Sequence, residues 1–141
     1  MDAAILTIGD ELLIGQVIDT NSAWLAMRLN ELGFTIKARF SVGDNMTEIR
    51  DAIYYATELA PVVITTGGLG PTSDDRTREV LCDMFECEMQ ENEEVLNGIK
   101  DMFAKRGWSL TDVNRRQALV PDRAKVLFNN MGTAPGLYFE D

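Results

Sequence analysis

Apolar positions along the 141-residue chain recur in several distinct patterns, and each pattern predicts a different element. Residues 3–8, AAILTI, form an unbroken apolar run of strand length, the mark of a buried strand. Gly9-Asp10-Glu11 ends it and leaves two acids at the strand's C-terminal end. Leu25, Leu29 and Leu32 then recur at helical spacing, behind the cap-competent run Asp19-Thr20-Asn21-Ser22 and ahead of Gly33, which stops the helix. Residues 34–42, FTIKARFSV, alternate strictly, with Phe34, Ile36, Ala38, Phe40 and Val42 on one face; this is a strand near a sheet edge. Gly43-Asp44-Asn45 makes a turn, Asn45 and Glu48 have capping-box spacing, and Ile49, Ile53, Ala56 and Ala60 mark a second helix. Pro61 ends that helix, and PVVITT reads as another buried strand.

The second half continues in the same manner. Val80, Leu81, Met84 and Phe85 form a helical stripe, and FECEMQ is a weak strand or an extended link. Val95, Leu96, Ile99, Met102 and Phe103 form another helix, starting at Asn92 and ended by Gly107. Thr111 caps a short helix through Gln117, and Pro121 breaks it. AKVLFN and LYFED read as strands on either side of a second glycine/proline loop, Asn130 to Gly136. Alternating strands and helices imply βαβ crossovers, hence an α/β class with a three-layer α/β/α sandwich and a mainly parallel sheet. The length predicts a single domain, residues 1–141, large enough to bury its own core.

Composition narrows the chemistry. The net charge of −10 argues against a nucleic-acid partner or an anionic membrane surface, and a phosphorylated ligand would need local help from amides, a metal or a few basic side chains. There is no histidine, which excludes histidine acid/base catalysis, Ser-His-Asp triads and histidine-ligated zinc. Cys82 and Cys87 are too few for a thiolate zinc site and lack C-x-x-C spacing; they read as reduced, mainly structural thiols, which suits a cytoplasmic protein. No basic leader is visible at Met1-Asp2, and no apolar run approaches the roughly 18 residues of a membrane span.

The candidate chemistry gathers in TTGGLGPTSDDRTRE, residues 65–79. Gly67, Gly68 and Gly70 allow positive φ and close backbone approach to a ligand, and Pro71 follows. Thr72 is placed to cap a helix, with Asp75 three residues on as the capping-box acid. A helix start offers free N–H groups and the positive end of a dipole to an anion, so the N–H groups of Gly68 to Thr72 are candidate phosphate donors. Asp74 and Asp75 would repel a bare phosphate, and they make sense if a divalent cation lies between them and phosphate oxygens. Neither the P-loop nor the dinucleotide fingerprint fits: no lysine follows, and Ser73 stands where the third glycine belongs. In a parallel sheet the ends of AAILTI and VVITT can lie side by side, which would bring Asp10 and Glu11 toward the glycine loop. Asn21 and Thr72 are candidates for bonding ligand hydroxyls or phosphate oxygens. The plain alternatives are a turn acid at Asp10, a helix cap at Asn21 and a turn former at Asn130.

The glycine segment resembles the signature of the molybdopterin-binding-like domain shared by molybdenum-cofactor biosynthesis proteins. Its Asp-Asp form with Pro71, together with TIGDELLIGQVIDTNS at residues 7–22 and NNMGTAPGL at residues 129–137, resembles the N-terminal domain of the competence/damage-inducible CinA family. The resemblance implies a metal-dependent pyrophosphatase that hydrolyses ADP-ribose to AMP and ribose 5-phosphate. Asp75, Asp74 and Asp10 would be its catalytic acids, and a Mg, Mn or Co type cation would sit on Asp74 and Asp75. A molybdopterin-binding or adenylyl-transfer module and a noncatalytic oligomer-forming regulatory domain are the alternatives. It also implies a homodimer, although no residue pattern fixes an oligomeric state. Relatives continue into a Pro-Gly loop and a separate amidohydrolase domain that this sequence lacks, so the domain is expected to be incomplete at its C-terminus and nicotinamide-nucleotide deamidation is not assigned.

Overall fold

In the computed structural model, which describes residues 1–140, the apolar run AAILTI lies at the centre of a parallel sheet. β1 (Asp2–Ile8) pairs on one side with β2 (Thr35–Val42) and on the other with β3 (Val62–Thr66), both parallel. The chain thus leaves β1, builds β2 on one flank, and returns past β1 to build β3 on the other. The two helices that make these crossovers, α2 (Thr20–Glu31) and α3 (Met46–Leu59), follow a single-turn helix, α1 (Asp10–Leu13). Both faces of β1 are covered, which is why its sequence is continuously apolar. Ala3 and Ile5 pack with Leu25 and Leu29 of α2, whereas Ala4 packs with Ala56 and Ala60 at the α3 end. This unit is therefore three-layered, as its periodicity predicts. β2 alternates because it is an edge strand, and its register with β1 shifts between Ala3 and Ala4.

Capping follows the sequence closely here. Asp19 accepts from the Ser22 N–H at the start of α2, and Asn45 accepts from the Thr47 and Glu48 N–H groups at the start of α3. Side-chain acceptors at these positions satisfy N–H groups that have no partner inside the helix. One expectation fails: VVITT is not fully buried. It is an edge strand, and all five residues are half-buried.

Two compact units divide the chain, Met1–Gly68 and Leu69–Asp141. The second holds α4 (Thr77–Met84), β4 (Met89–Glu91), α5 (Glu93–Lys105), α6 (Asp112–Arg115), a 3-10 turn Arg116–Ala118, β5 (Leu119–Pro121), β6 (Lys125–Leu127) and β7 (Gly136–Tyr138). Its core is Val95, Leu96, Ile99, Phe103 and Ala118, with Leu110 and Val126 packed against them. Here the pairing is antiparallel, β4 with β5 and β6 with β7, so the parallel arrangement belongs to the first unit. β6 and β7 are joined by a loop with no crossover helix, which allows only antiparallel pairing, whereas β4 and β5 pair antiparallel with α5 and α6 between them in the chain. Among the described residues, no helix is long and apolar enough to cross a membrane.

Candidate functional site

The C-terminal ends of β1 and β3 are neighbours, with Thr7 opposite Thr66. The strand order reverses at this point, and open α/β sheets bind ligands in such a crevice. Three features of the first unit line it. Gly67 and Gly68 both hold positive φ, 103° and 66°, so the turn uses the freedom that glycine alone has there. A Cβ on Gly67 would collide with the Ile8 carbonyl oxygen, so the backbone of this turn presses directly on the end of β1. Asn21, in the first turn of α2, donates weakly from Nδ2 to Thr66 Oγ1 at 3.5 Å. Asn21 is thus not the cap of α2, a role that belongs to Asp19, and it reaches across to the end of β3.

Asp10 is exposed and tied to the turn after β2. Its Oδ1 accepts from the Asp44 N–H at 3.0 Å, and its own N–H donates to Asp44 Oδ2 at 3.3 Å. The turn-acid role is therefore present, with Asp44 as a reciprocal partner that the sequence reading did not single out. Behind the crevice, Thr7, Ser41 and Asp19 form a polar cluster: Thr7 Oγ1 lies 2.6 Å from Ser41 Oγ and 3.1 Å from Asp19 Oδ2. Burial works against the charge on Asp19. The hydrogen bonds from the Ser22 side chain and backbone and from Thr7, with the nearby Arg39 charge, outweigh it and hold the carboxyl below its ordinary value.

The aspartate half of the glycine loop lies in the second unit, and here the predicted helix start is corrected. α4 begins at Thr77, not at Thr72, and its cap residue Arg76 makes no side-chain cap bond. Thr72 to Asp75 is instead a free-standing turn. The Asp75 N–H donates to the Thr72 carbonyl at 3.1 Å, while Asp75 Oδ2 accepts from the Thr72 N–H at 3.2 Å and from Thr72 Oγ1 at 2.7 Å. Asp75 reaches back as a capping-box acid does, but the residues after it do not continue as helix. The phosphate cradle over Gly68 to Thr72 shrinks accordingly: Pro71 has no N–H, and the Thr72 N–H is occupied by Asp75.

Two side chains that sequence reasoning missed organise this loop. Arg78, only 8% exposed, donates to the carbonyls of Gly70, Arg116, Gln117 and Leu119 at 2.7–3.4 Å. Gln117, 1% exposed, donates from Nε2 to the Leu69 carbonyl at 2.7 Å. Both carbonyls of the Leu69-Gly70 pair are thus drawn into the protein. Burial pulls the Arg78 guanidinium below its ordinary value, against the opposing charges of Asp75 and Glu79, yet arginine stays cationic. The available signal was an arginine in register with Leu81 and Cys82 on a buried helix face. A Cβ on Gly70 would lie 2.5 Å from Asp75 Oδ2, so this glycine serves the close approach of the carboxylate.

A cavity of about 290 Å³ opens on this loop, lined among others by Thr72, Asp75, Arg76, Arg78, Glu79 and Arg116. Asp74 is exposed beside it in sequence. The three arginines and two acids that line the cavity give it a local excess of positive charge in a chain of net charge −10. A larger cavity of about 470 Å³ lies elsewhere in the second unit, between α5 and the second glycine/proline loop, and includes Asn130. That loop is built by Asn129, which donates to the Ala134 carbonyl and accepts from the Met131 N–H. Among the described residues, no group of three acidic, cysteine or histidine side chains converges to hold a metal ion.

Comparison with known proteins bears on both halves. Residues 4–141 match the family described as "Probable molybdopterin binding domain". A CinA-like protein from Cytophaga hutchinsonii is 44% identical over 98% of this chain, and the match covers 33% of that relative. The chain thus spans about a third of the length of the curated relatives it matches. The crystal structure of CinA from Thermoplasma acidophilum, a protein described as of unknown function, superposes with a TM-score of 0.85 at 34% identity, covering 96% of this chain and 79% of that one. The tungsten cofactor synthesizing protein MoaB from Pyrococcus furiosus shares the fold, with a TM-score of 0.58 at 24% identity over 75% of this chain and 64% of that one.

Proposed function

The chain belongs to the molybdopterin-binding-domain family, on its CinA-like branch, and from that premise we propose that it binds a phosphorylated heterocycle of the molybdopterin class at the C-terminal edge of its parallel sheet. The observation that carries this reading is the family match over residues 4–141, which includes the glycine turn. Gly67 and Gly68 let the ligand approach the main chain, the Gly68 N–H is the phosphate donor of the first unit, and Asn21 and Thr66 bond the ligand's hydroxyls. Asp10 orients the turn through Asp44. Assembly as a homodimer goes with this reading and is read by light scattering. The test is titration of the purified protein with a phosphorylated pterin, followed by pterin fluorescence, alongside ADP-ribose. Tight pterin binding that ADP-ribose does not displace is the expected result. No pterin binding at millimolar ligand would end the reading.

A second reading, metal-dependent hydrolysis of ADP-ribose to AMP and ribose 5-phosphate, is favoured by the neighbouring carboxylates Asp74 and Asp75. With no third acidic, cysteine or histidine side chain grouped with them among the described residues, they fit a hard cation completed by ligand phosphates and water, as magnesium-type sites are. Asp74, exposed, and the Oδ1 of Asp75 would hold it, since Asp75 Oδ2 is engaged by Thr72. Such a cation polarises phosphoryl oxygens and activates water. The chain's own contribution would be to fix Asp75 through Thr72 and to set arginine charge beside the phosphates. Asp75→Asn keeps the acceptor for Thr72 and removes the charge. Metal-dependent AMP release should fall roughly a hundredfold while the melting temperature moves by only a few degrees. Equal rates at limiting metal would make Asp75 a turn residue alone.

A further inference from the structure

α4 ends in a Schellman arrangement. The Cys87 N–H donates to the Cys82 carbonyl at 3.0 Å, the Glu86 N–H donates to the Asp83 carbonyl at 3.4 Å, and Glu86 takes the left-handed conformation with φ 49°. In this motif the residue two past the cap, here Cys87 beyond Phe85, meets the residue three before the cap, here Cys82, commonly through an apolar contact. Here the two residues that meet are the chain's only cysteines. Their sulfurs lie 3.3 Å apart, so closure to the roughly 2.05 Å of a disulfide moves them by little more than 1 Å. We propose that Cys82 and Cys87 form a reversible intrachain disulfide across the C-terminal end of α4, made by exchange with a small-molecule disulfide.

The two thiols are unequal, which orders the steps. Cys82 is buried and donates its S–H to the Cys87 carbonyl at 2.8 Å, whereas Cys87 is half-buried. Burial first, then the Cys87 thiol and the Asp122 and Asp83 carboxylates, push the Cys82 thiol up to about 12. Cys87 is therefore the entry point. Its thiolate, having given its proton to solvent, attacks one sulfur of the small disulfide, and the departing thiolate takes up a proton. Cys82 then loses its proton and attacks the Cys87 sulfur of the mixed disulfide, expelling the second small thiol. Two protein S–H groups and one small disulfide become one protein S–S bond and two small thiols. The cap hydrogen bonds already hold the ends together, so α4 need not unwind.

The experiment equilibrates the full chain in buffers of reduced and oxidised glutathione, quenches with an alkylating agent, and weighs the tryptic peptide spanning residues 79–100, which contains both cysteines. The expected product loses two hydrogens and takes no alkyl group, and excess reduced glutathione returns it to the doubly alkylated form. Cys82→Ala should stop at a glutathione adduct on Cys87, and Cys87→Ala should leave Cys82 free of glutathione. A wild-type peptide that stops at one glutathione adduct, a disulfide-linked dimer, or two alkylatable thiols in excess oxidised glutathione would overturn the proposal. If either variant fails to fold, the wild-type peptide mass still decides the matter.

Discussion

The two halves of the glycine-aspartate loop are held by opposite means. In the first unit the turn at Gly67-Gly68 is held by backbone against backbone: positive φ at two glycines, and main chain pressed on the Ile8 carbonyl with no room for a Cβ. In the second unit the stretch from Leu69 to Asp75 is held by side chains that seize its carbonyls and amides, through Gln117, Arg78 and Asp75 itself. The first design tolerates no added atom, and the second tolerates no lost donor. Glycine content therefore says where a loop can approach a ligand, while the buried donors say which way its peptides face.

The largest expected effect tests the second design. Arg78→Met removes a buried cation and leaves four carbonyls without their donor, at a cost of about 3 kcal/mol or more. Arg78→Lys should recover only part of this, because an ammonium lacks the planar fork. Denaturant unfolding measures both, and an Arg78→Met protein as stable as wild type would show the carbonyls finding other partners. Gly67→Ala tests the first design. Strain at φ 103° and the collision with Ile8 should cost about 2–3 kcal/mol, which lowers the melting temperature by roughly 3–4 °C per kcal/mol. If Gly67→Ala melted like wild type, the close approach would not be holding the turn.

A smaller effect comes from Asp19. Its carboxyl lies below the ordinary value of 3.8 in the folded protein, so the stabilisation it gives is present above that value and is lost as pH falls through the lower, folded one. Melting temperature should therefore drop as pH goes below about 4, and Asp19→Asn, still a competent cap, should flatten that part of the curve. Smallest is Glu86→Gly. Relieving a non-glycine residue at φ 49° should stabilise by about 1 kcal/mol, read as a melting temperature a few degrees higher.

Much of the frame was legible along the chain. The unbroken run at residues 3–8 announced a strand covered on both faces, and the alternation at residues 34–42 announced an edge. Asp19, Asn45, Asn92 and Thr111 all cap the helices that follow them. VVITT misled because an apolar run is also compatible with an edge strand that is half-buried. Thr72 misled because its spacing to Asp75 describes a local hydrogen-bond pattern, and that pattern closes a turn as readily as it opens a helix.

Of the candidate site, the sequence by itself determined the residue types: the glycines that can take positive φ, the paired acids, the missing histidine. Those follow from chemistry confined to one or a few neighbouring residues. Only the tertiary structure decided that Thr7 and Thr66 end side by side, that Asp10 answers to Asp44, and that the Gly70 and Leu69 carbonyls turn inward. The bonds responsible join residues up to 48 positions apart. No local period carries information at that range, because which donors meet those carbonyls is settled when the chain closes and buries Arg78 and Gln117.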